Sequence, residues 1–192
     1  MTDILSKLFG SAARVKLLRL FLFNPQQSVL AKDAAARARV RSREVHKELG
    51  LFVRLGLLER HARRGGARYV LSDDSPYVQA LQNLLLNTPA RAEEMYGRLR
   101  SAGTLKCIVV TGIFTGEWES SIDLLIVGDR IKERTLREKI RLLEAEVGKE
   151  IRYATLSTSD FLYRLNMNDH LIRDVFDYPH RVVFDRLDIG LK

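Results

Sequence analysis

The 192-residue chain is most informative at first for what it lacks. It has a single cysteine, Cys107, which excludes an internal disulfide and points to a reducing cytoplasm. Its four histidines, His46, His61, His170 and His180, are scattered, and none stands at metal-ligand spacing from the cysteine, so neither a metal nor another cofactor is expected. No apolar run approaches the roughly 18 residues that a membrane span needs. Met1-Thr2-Asp3-Ile4-Leu5 lacks the charged start and apolar stretch of a signal peptide, so a cytoplasmic protein without a membrane partner is expected. With 46% hydrophobic and 29% charged residues, collagen-like, mucin-like and wholly disordered chains are excluded as well. At about 150 residues per domain, the length allows one large domain or two small ones.

Charge of one sign is concentrated in the front of the chain. Residues 1–72 hold 15 Lys and Arg against 5 Asp and Glu, a net of +10, while residues 73–192 hold 17 against 19, a net of −2. A basic front and a near-neutral back imply that one domain meets a polyanion and the other has a different task.

Within the basic part, Ser11 to Phe23 carries Val15, Leu17, Leu18, Leu20, Phe21 and Leu22 with Arg14, Lys16 and Arg19 between them, an amphipathic helix capped near Ser11 and stopped by Asn24-Pro25. The alanine-rich stretch Leu30 to Ala38 predicts a second, short helix, broken by Arg39-Val40-Arg41. Ser42 to Leu55, ended by Gly56, predicts a third. Leu57–Ala62 and Ala67–Leu71 read as two strands joined by a hairpin turn at Arg63-Arg64-Gly65-Gly66.

Three helices followed by a basic-tipped hairpin is the order of a winged helix-turn-helix. At about 100° per residue, Val45, Leu49 and Phe52 share one face of the third helix and Arg43, Lys47 and Arg54 the opposite face. The first face would pack inward and the second would present cations to a DNA groove. The expected DNA-binding set is Arg39, Arg41, Ser42, Arg43, His46, Lys47 and Arg54 in and before the third helix, with Arg63, Arg64 and Arg68 on the wing. The segments Ala12-Ala13-Arg14-Val15-Lys16-Leu17-Leu18-Arg19-Leu20-Phe21 and Glu48-Leu49-Gly50-Leu51-Phe52-Val53-Arg54-Leu55-Gly56-Leu57-Leu58 resemble bacterial winged-helix regulators of the ArsR/MarR type. That resemblance implies double-stranded DNA as partner. It does not carry over metal sensing, because the cysteine and histidine clusters of metal-sensing relatives are missing.

Residues 73–102 read as connecting helices. Ser75 and Pro76 can start one, and Tyr77, Val78, Leu81, Leu84, Leu85 and Leu86 follow at mostly helical spacing to the stop at Asn87-Thr88-Pro89, beyond which residues 89–102 start another. Two readings stand side by side: Tyr77, Leu81, Leu84 and Leu85 form the seam of a homodimer, or these side chains pack on the chain's own second domain.

Residues 103–192 read as a small α/β domain. Leu105–Val110, Ser121–Val127 and Glu150–Leu156 predict strands, Arg130–Val147 a helix, two short helices follow Ser159 and Asp169, and Arg181–Phe184 is extended. Cys107 lies in an apolar strand with no base nearby in sequence, which describes an inert thiol. The stretch Thr111 to Asp129 resembles the minimal nucleotidyltransferase domain of the DNA polymerase beta-like superfamily. That family carries a Gly-Ser turn, a Ser-Asp-x-Asp-Leu strand and a third carboxylate, and uses two Mg²⁺ on a nucleoside triphosphate. Here Gly112 and Gly116 match the glycines and Asp123 the second aspartate, but Ile113 replaces the serine and Ser121 the first aspartate, and Arg152 sets a cation where the third strand should bring a carboxylate. Glu117 and Glu119 lie in the loop, away from the motif positions. The resemblance implies the fold together with a remnant nucleotide site at Gly112, Gly116, Ser121 and Asp123 and no catalytic residue.

The expected whole is an α+β protein with a winged helix-turn-helix at 1–72, connecting helices at 73–102 and a degenerate nucleotidyltransferase-like domain at 103–192. The expected function is that of a DNA-binding transcriptional regulator, a homodimer, whose second domain senses a nucleotide, dimerises or holds a protein partner. The alternatives are an active nucleotidyltransferase targeted by its winged helix, and an antitoxin-like repressor.

Overall fold

A computed structural model of the chain describes residues 4–86, 94–117 and 120–188, and the side chains of Arg63 and Leu86 lie outside the described part. The structure is mixed α+β and divides into two compact units, Met1–Thr88 with Leu142–Glu150, and Pro89–Arg141 with Ile151–Lys192.

The first unit starts with a short helix α1 (Ile4–Leu8) that the hydrophobic pattern does not announce, followed by α2 (Ala12–Leu22). Ser11 is extended, and its hydroxyl accepts from the Arg14 N–H at 3.2 Å, satisfying one of the donors that every helix start leaves unpaired. A two-residue strand β1 (Val29–Leu30) comes next, where the sequence pattern suggests that the helix has already begun. Helix α3 (Ala31–Ala38) closes with Arg39 in the left-handed region at φ 50°. Helix α4 (Ser42–Arg54) buries Val45, Leu49 and Phe52. Strands β2 (Leu58–Arg63) and β3 (Gly66–Leu71) form an antiparallel hairpin whose turn residue Gly65 has φ 97°. β1 pairs with β3 on its other edge, Val29 opposite Tyr69, so the sheet order is β1-β3-β2. Helix α5 (Val78–Leu86) packs against α2. One apolar core, built around Leu17, Phe21, Val45, Leu49 and Phe52, joins all these elements. Residues 142–150 belong to this unit, and the buried Asn24 amide donates to the carbonyls of Leu20 and Gly148, both at 2.7 Å.

The second unit contains α6 (Met95–Leu99), β4 (Thr104–Val110), β5 (Leu124–Asp129), α7 (Glu133–Val147) as far as Arg141, β6 (Tyr153–Leu156), α8 (Thr158–Asn166), α9 (His170–Asp177) and β7 (Arg181–Asp185). Its sheet order is β6-β5-β4-β7, with β5 and β6 parallel and the other pairs antiparallel. A parallel pair needs a crossover connection, and α7 lies in it. Cys107–Val110 of β4 and Leu124–Val127 of β5 are all apolar and buried on both faces of the sheet, and Cys107, Val109, Leu125 and Val127 pack on Phe161, Ile172 and Val175.

In the second unit three elements start three residues later than the sequence pattern suggests. β5 starts at Leu124 rather than Ser121, because the polar side chains before it bond elsewhere: Ser120 to the Ile122 carbonyl, Ser121 to Asp174 and Asp123 to the Ile113 N–H. β6 is confined to Tyr153–Leu156. α7 starts at Glu133 rather than Arg130, whose φ of 54° is not helical. The connecting helices are also divided: Val78–Leu86 belongs to the first unit and Met95–Leu99 to the second, and the helix stop and start read at residues 87–93 lie outside the described residues.

Candidate nucleic-acid interface and the Asp123 site

The two faces of α4 are distinct. Val45 and Leu49 are fully buried and Phe52 nearly so, while Ser42, Arg43, His46, Lys47 and Arg54 are exposed. Glu48, at the margin between the faces, is buried and ion-paired with Arg14 of α2, Nε to Oε2 at 2.7 Å. The same guanidinium donates to the Phe9 carbonyl at 2.9 Å. This contact neutralises the only acid of α4 that faces inward and ties α4 to α2. His46 Nδ1 donates to the Ser42 carbonyl at 2.7 Å, which requires the proton on Nδ1 and leaves Nε2 directed elsewhere.

The remaining expected contacts surround this helix. Arg41 is the residue before α4, and both it and Arg39 are exposed. Arg64 is exposed at the hairpin tip, whereas the side chain of Arg63 lies outside the described part. Arg68 is half-buried and donates to the Ser28 carbonyl at 2.9 Å, so it also fastens β3 to the segment entering β1. Among the described residues, Arg39, Arg41, Arg43, Lys47, Arg54 and Arg64 form no ion pair within the chain.

The four residues read as a dimer seam are not equivalent. Leu85 is 3% exposed in the first unit's own core and Leu81 packs against that core, because α5 lies on α2. Tyr77 and Leu84, by contrast, are 62% and 41% exposed.

In the second unit the site centres on Asp123, which is fully buried just before β5. Oδ1 accepts from the Ile113 N–H at 3.0 Å and from Arg152 Nη2 at 3.0 Å. Oδ2 accepts from the Arg152 N–H at 2.9 Å and from Arg152 Nε at 3.1 Å. A carboxylate offers about four lone-pair positions, and all four are taken. The bond to Asp123 raises the pKa of Arg152 further, so the guanidinium stays charged. Gly112 is in the left-handed region at φ 56°, and a Cβ there would collide with Asp123 Oδ1. Glycine is required because the carboxylate lies directly against the backbone.

The remaining residues of this site have other partners. Ser121 is exposed and donates its hydroxyl to Asp174 of α9, a residue that no sequence pattern connects with it. Gly116 has open space where a Cβ would go. Glu117 donates its N–H to the Gly112 carbonyl at 2.9 Å, and Glu119 lies outside the described residues. Among the described residues, no three His, Cys, Asp or Glu side chains converge as metal ligands. The two Mg²⁺ implied by the resemblance do not fit these residues, because the one matching carboxylate has every lone pair taken, two by the Arg152 guanidinium and two by backbone N–H groups. Cys107 is buried opposite Asp185 on β7, and burial, with a smaller push from the Asp185 charge, raises its thiol to about 12.

Comparison with family models, with curated proteins and with solved structures finds no match to the chain. No helix of the described residues is long and apolar enough to cross a membrane.

Proposed function

We propose that the chain is a DNA-binding transcriptional regulator whose first unit is a winged helix-turn-helix and whose second unit is a nucleotidyltransferase-like domain without transferase activity. One observation carries this reading: the outward face of α4 presents Arg43, His46, Lys47 and Arg54, its cations without carboxylate partners, while its opposite face is locked into the core. The succession of α2, α3, α4 and a hairpin, the β1-β3-β2 sheet and the exposed Arg64 at the turn support it. Free cations on a rigid helix suit a polyanion with a groove wide enough for a helix, which is duplex DNA.

The second unit contributes a scaffold. The two-metal chemistry of the resembling family needs carboxylates with lone pairs to give, and Asp123 has none. The working species is a homodimer, since one such module covers few base pairs and two linked modules gain affinity without new contacts. Titrating mixed-sequence duplex DNA at several salt concentrations tests the reading, because the log affinity must fall with log salt at about −0.9 per neutralised phosphate. Absent or salt-independent binding overturns it. Light scattering of the complex tests the assembly, and a complex holding a single 22.0 kDa chain overturns the dimer.

A further inference from the structure

Glycine inside a helix destabilises it relative to alanine, so a glycine there calls for a local reason. Gly50 lies in the interior of the 13-residue helix α4. Its φ is not in the left-handed region, so no backbone demand explains it. Space does not explain it either: the only atom within 4 Å of a Cβ built at this position is the Arg54 Nη1, at 3.7 Å, an ordinary contact with the end of a flexible side chain. The fold would accept alanine at residue 50 and gain stability from it. The other glycine of this kind, Gly97, is in the five-residue helix α6, where little helix exists to weaken.

The position of Gly50 on the helix gives the missing reason. At about 100° per residue, Arg43 and Gly50 are within about 20° of each other, His46 and Arg54 are about 40° to either side, and Lys47 about 60° away. Arg43, Arg54 and Lys47 all lie to one side of Gly50 and His46 to the other, so Gly50 is at the margin of the cationic face, on the side of the helix away from the buried Phe52, and along the axis it falls between Lys47 and Arg54. Long cations beside a bare stretch of backbone allow charged side chains to reach outward while the helix itself comes close.

We infer that Gly50 is the point of closest approach between α4 and the sugar-phosphate wall of a DNA groove, kept free of a side chain so that Arg43 and Lys47 before it and Arg54 after it along the helix can reach the phosphates beside it. The inference rests on the DNA-binding reading and adds the depth and place of docking. The charge of the surrounding face selects a polyanion as the occupant over a second copy of this basic unit, which it would repel.

The test compares Gly50→Ala and Gly50→Leu with the unchanged protein, using a mixed-sequence duplex of about 30 base pairs, thermal unfolding and light scattering. Gly50→Ala should raise Tm by about 2–4 °C, the shift expected from replacing a helix-interior glycine in a chain of this size. The same variant should weaken DNA binding by about tenfold, and Gly50→Leu should weaken it further, because a lost fit at a base or phosphate contact is of that order. Three results overturn the inference alone: unchanged affinity in both variants beside a loss of binding in Arg43→Ala, a fall in Tm in Gly50→Ala, or a change of oligomeric state in Gly50→Leu with DNA affinity intact. If the unchanged protein binds no duplex at low salt, the DNA-binding reading itself fails, and the inference with it.

Discussion

The Arg152 guanidinium holds both oxygens of Asp123, Nε to Oδ2 at 3.1 Å and Nη2 to Oδ1 at 3.0 Å, with the carboxylate fully buried and the arginine side chain 45% exposed. A buried charge that loses its partner cannot be rehydrated, and the cost usually exceeds the net worth of the pair. Replacing Arg152 by alanine leaves Asp123 with two backbone N–H donors and an uncompensated charge. Allowing for the water that reaches the exposed arginine, the expected loss is about 2–3 kcal/mol. The urea midpoint at neutral pH measures it, and a loss below about 1 kcal/mol would show that solvent replaces the arginine. The double variant with Asp123→Ala should cost less than the two single changes added together, since it removes both charges.

The same bonds underlie the proposal that the second unit transfers no nucleotide. Phosphoryl and nucleotidyl transfer depend on cations placed against the phosphates by carboxylates. Incubation of the protein with labelled nucleoside triphosphates and Mg²⁺ or Mn²⁺ should leave no label on protein, RNA or DNA. Label that appears and then disappears in Asp123→Ala would mean that Asp123 exchanges Arg152 for a metal, and the scaffold reading would fall. Calorimetry with the same nucleotides covers the sensor reading of the domain, in which nucleotide binds without turnover. A scaffold gives no heat of binding.

Much of the first unit is legible in the sequence, because its signals are local. Ser11 three residues before the Arg14 N–H that it accepts, the alternation of apolar and basic residues on α4, and Gly65 in the turn each act within a few positions. What is not legible depends on partners distant in the chain. β1 consists of two residues and exists only because Val29 meets Tyr69. Arg14 reads as one of several surface cations until Glu48 appears beside it. In the second unit the sequence singles out Asp123 only through a resemblance, and its bonding is set by Arg152, 29 positions later, while the partner of Ser121 is 53 positions away. The strand pattern begins β5 too early because hydropathy does not register that the side chains of Ser120, Ser121 and Asp123 find partners of their own.

Cys107 supplies a probe of the second unit. With its thiol pushed up to about 12 by burial and by the Asp185 charge, it holds its proton in the folded state far above the ordinary 9.0. An alkylating reagent at pH 8 should leave it unmodified in the folded protein and label it once urea unfolds the chain, since the thiolate is the reactive form. The linkage has a definite sign. Between pH 9.0 and about 12 the unfolded chain has lost this proton and the folded chain has kept it, so stability falls as pH rises through that window. Below pH 9.0 both states are protonated and the group contributes no slope. Cys107→Ala should remove this part of the alkaline loss. Rapid labelling under native conditions would show that β4 opens or that the thiol is accessible.

The division of charge along the chain makes the DNA-binding reading testable residue by residue. Arg43 and Lys47 are exposed on α4 and form no ion pair within the chain, so they are available for phosphates. Replacing both by alanine should weaken binding to mixed-sequence duplex and reduce the salt slope by up to about 2, one phosphate for each lost cation. Arg63→Ala with Arg64→Ala at the hairpin should act in the same way. Arg137 is the matched control: it carries the same charge on α7 but is already paired with Glu133 at 3.6 Å. Its replacement by alanine should leave both affinity and slope unchanged. Arg14→Ala should behave differently again. It removes a cation whose donors are taken by Glu48 and Phe9, so its effect on binding comes through the tilt of α4, with a loss of stability beside it. Equal loss of affinity in the Arg43/Lys47 double variant and in Arg137→Ala would mean that the chain attracts DNA by net charge alone, and α4 would not be its reading surface.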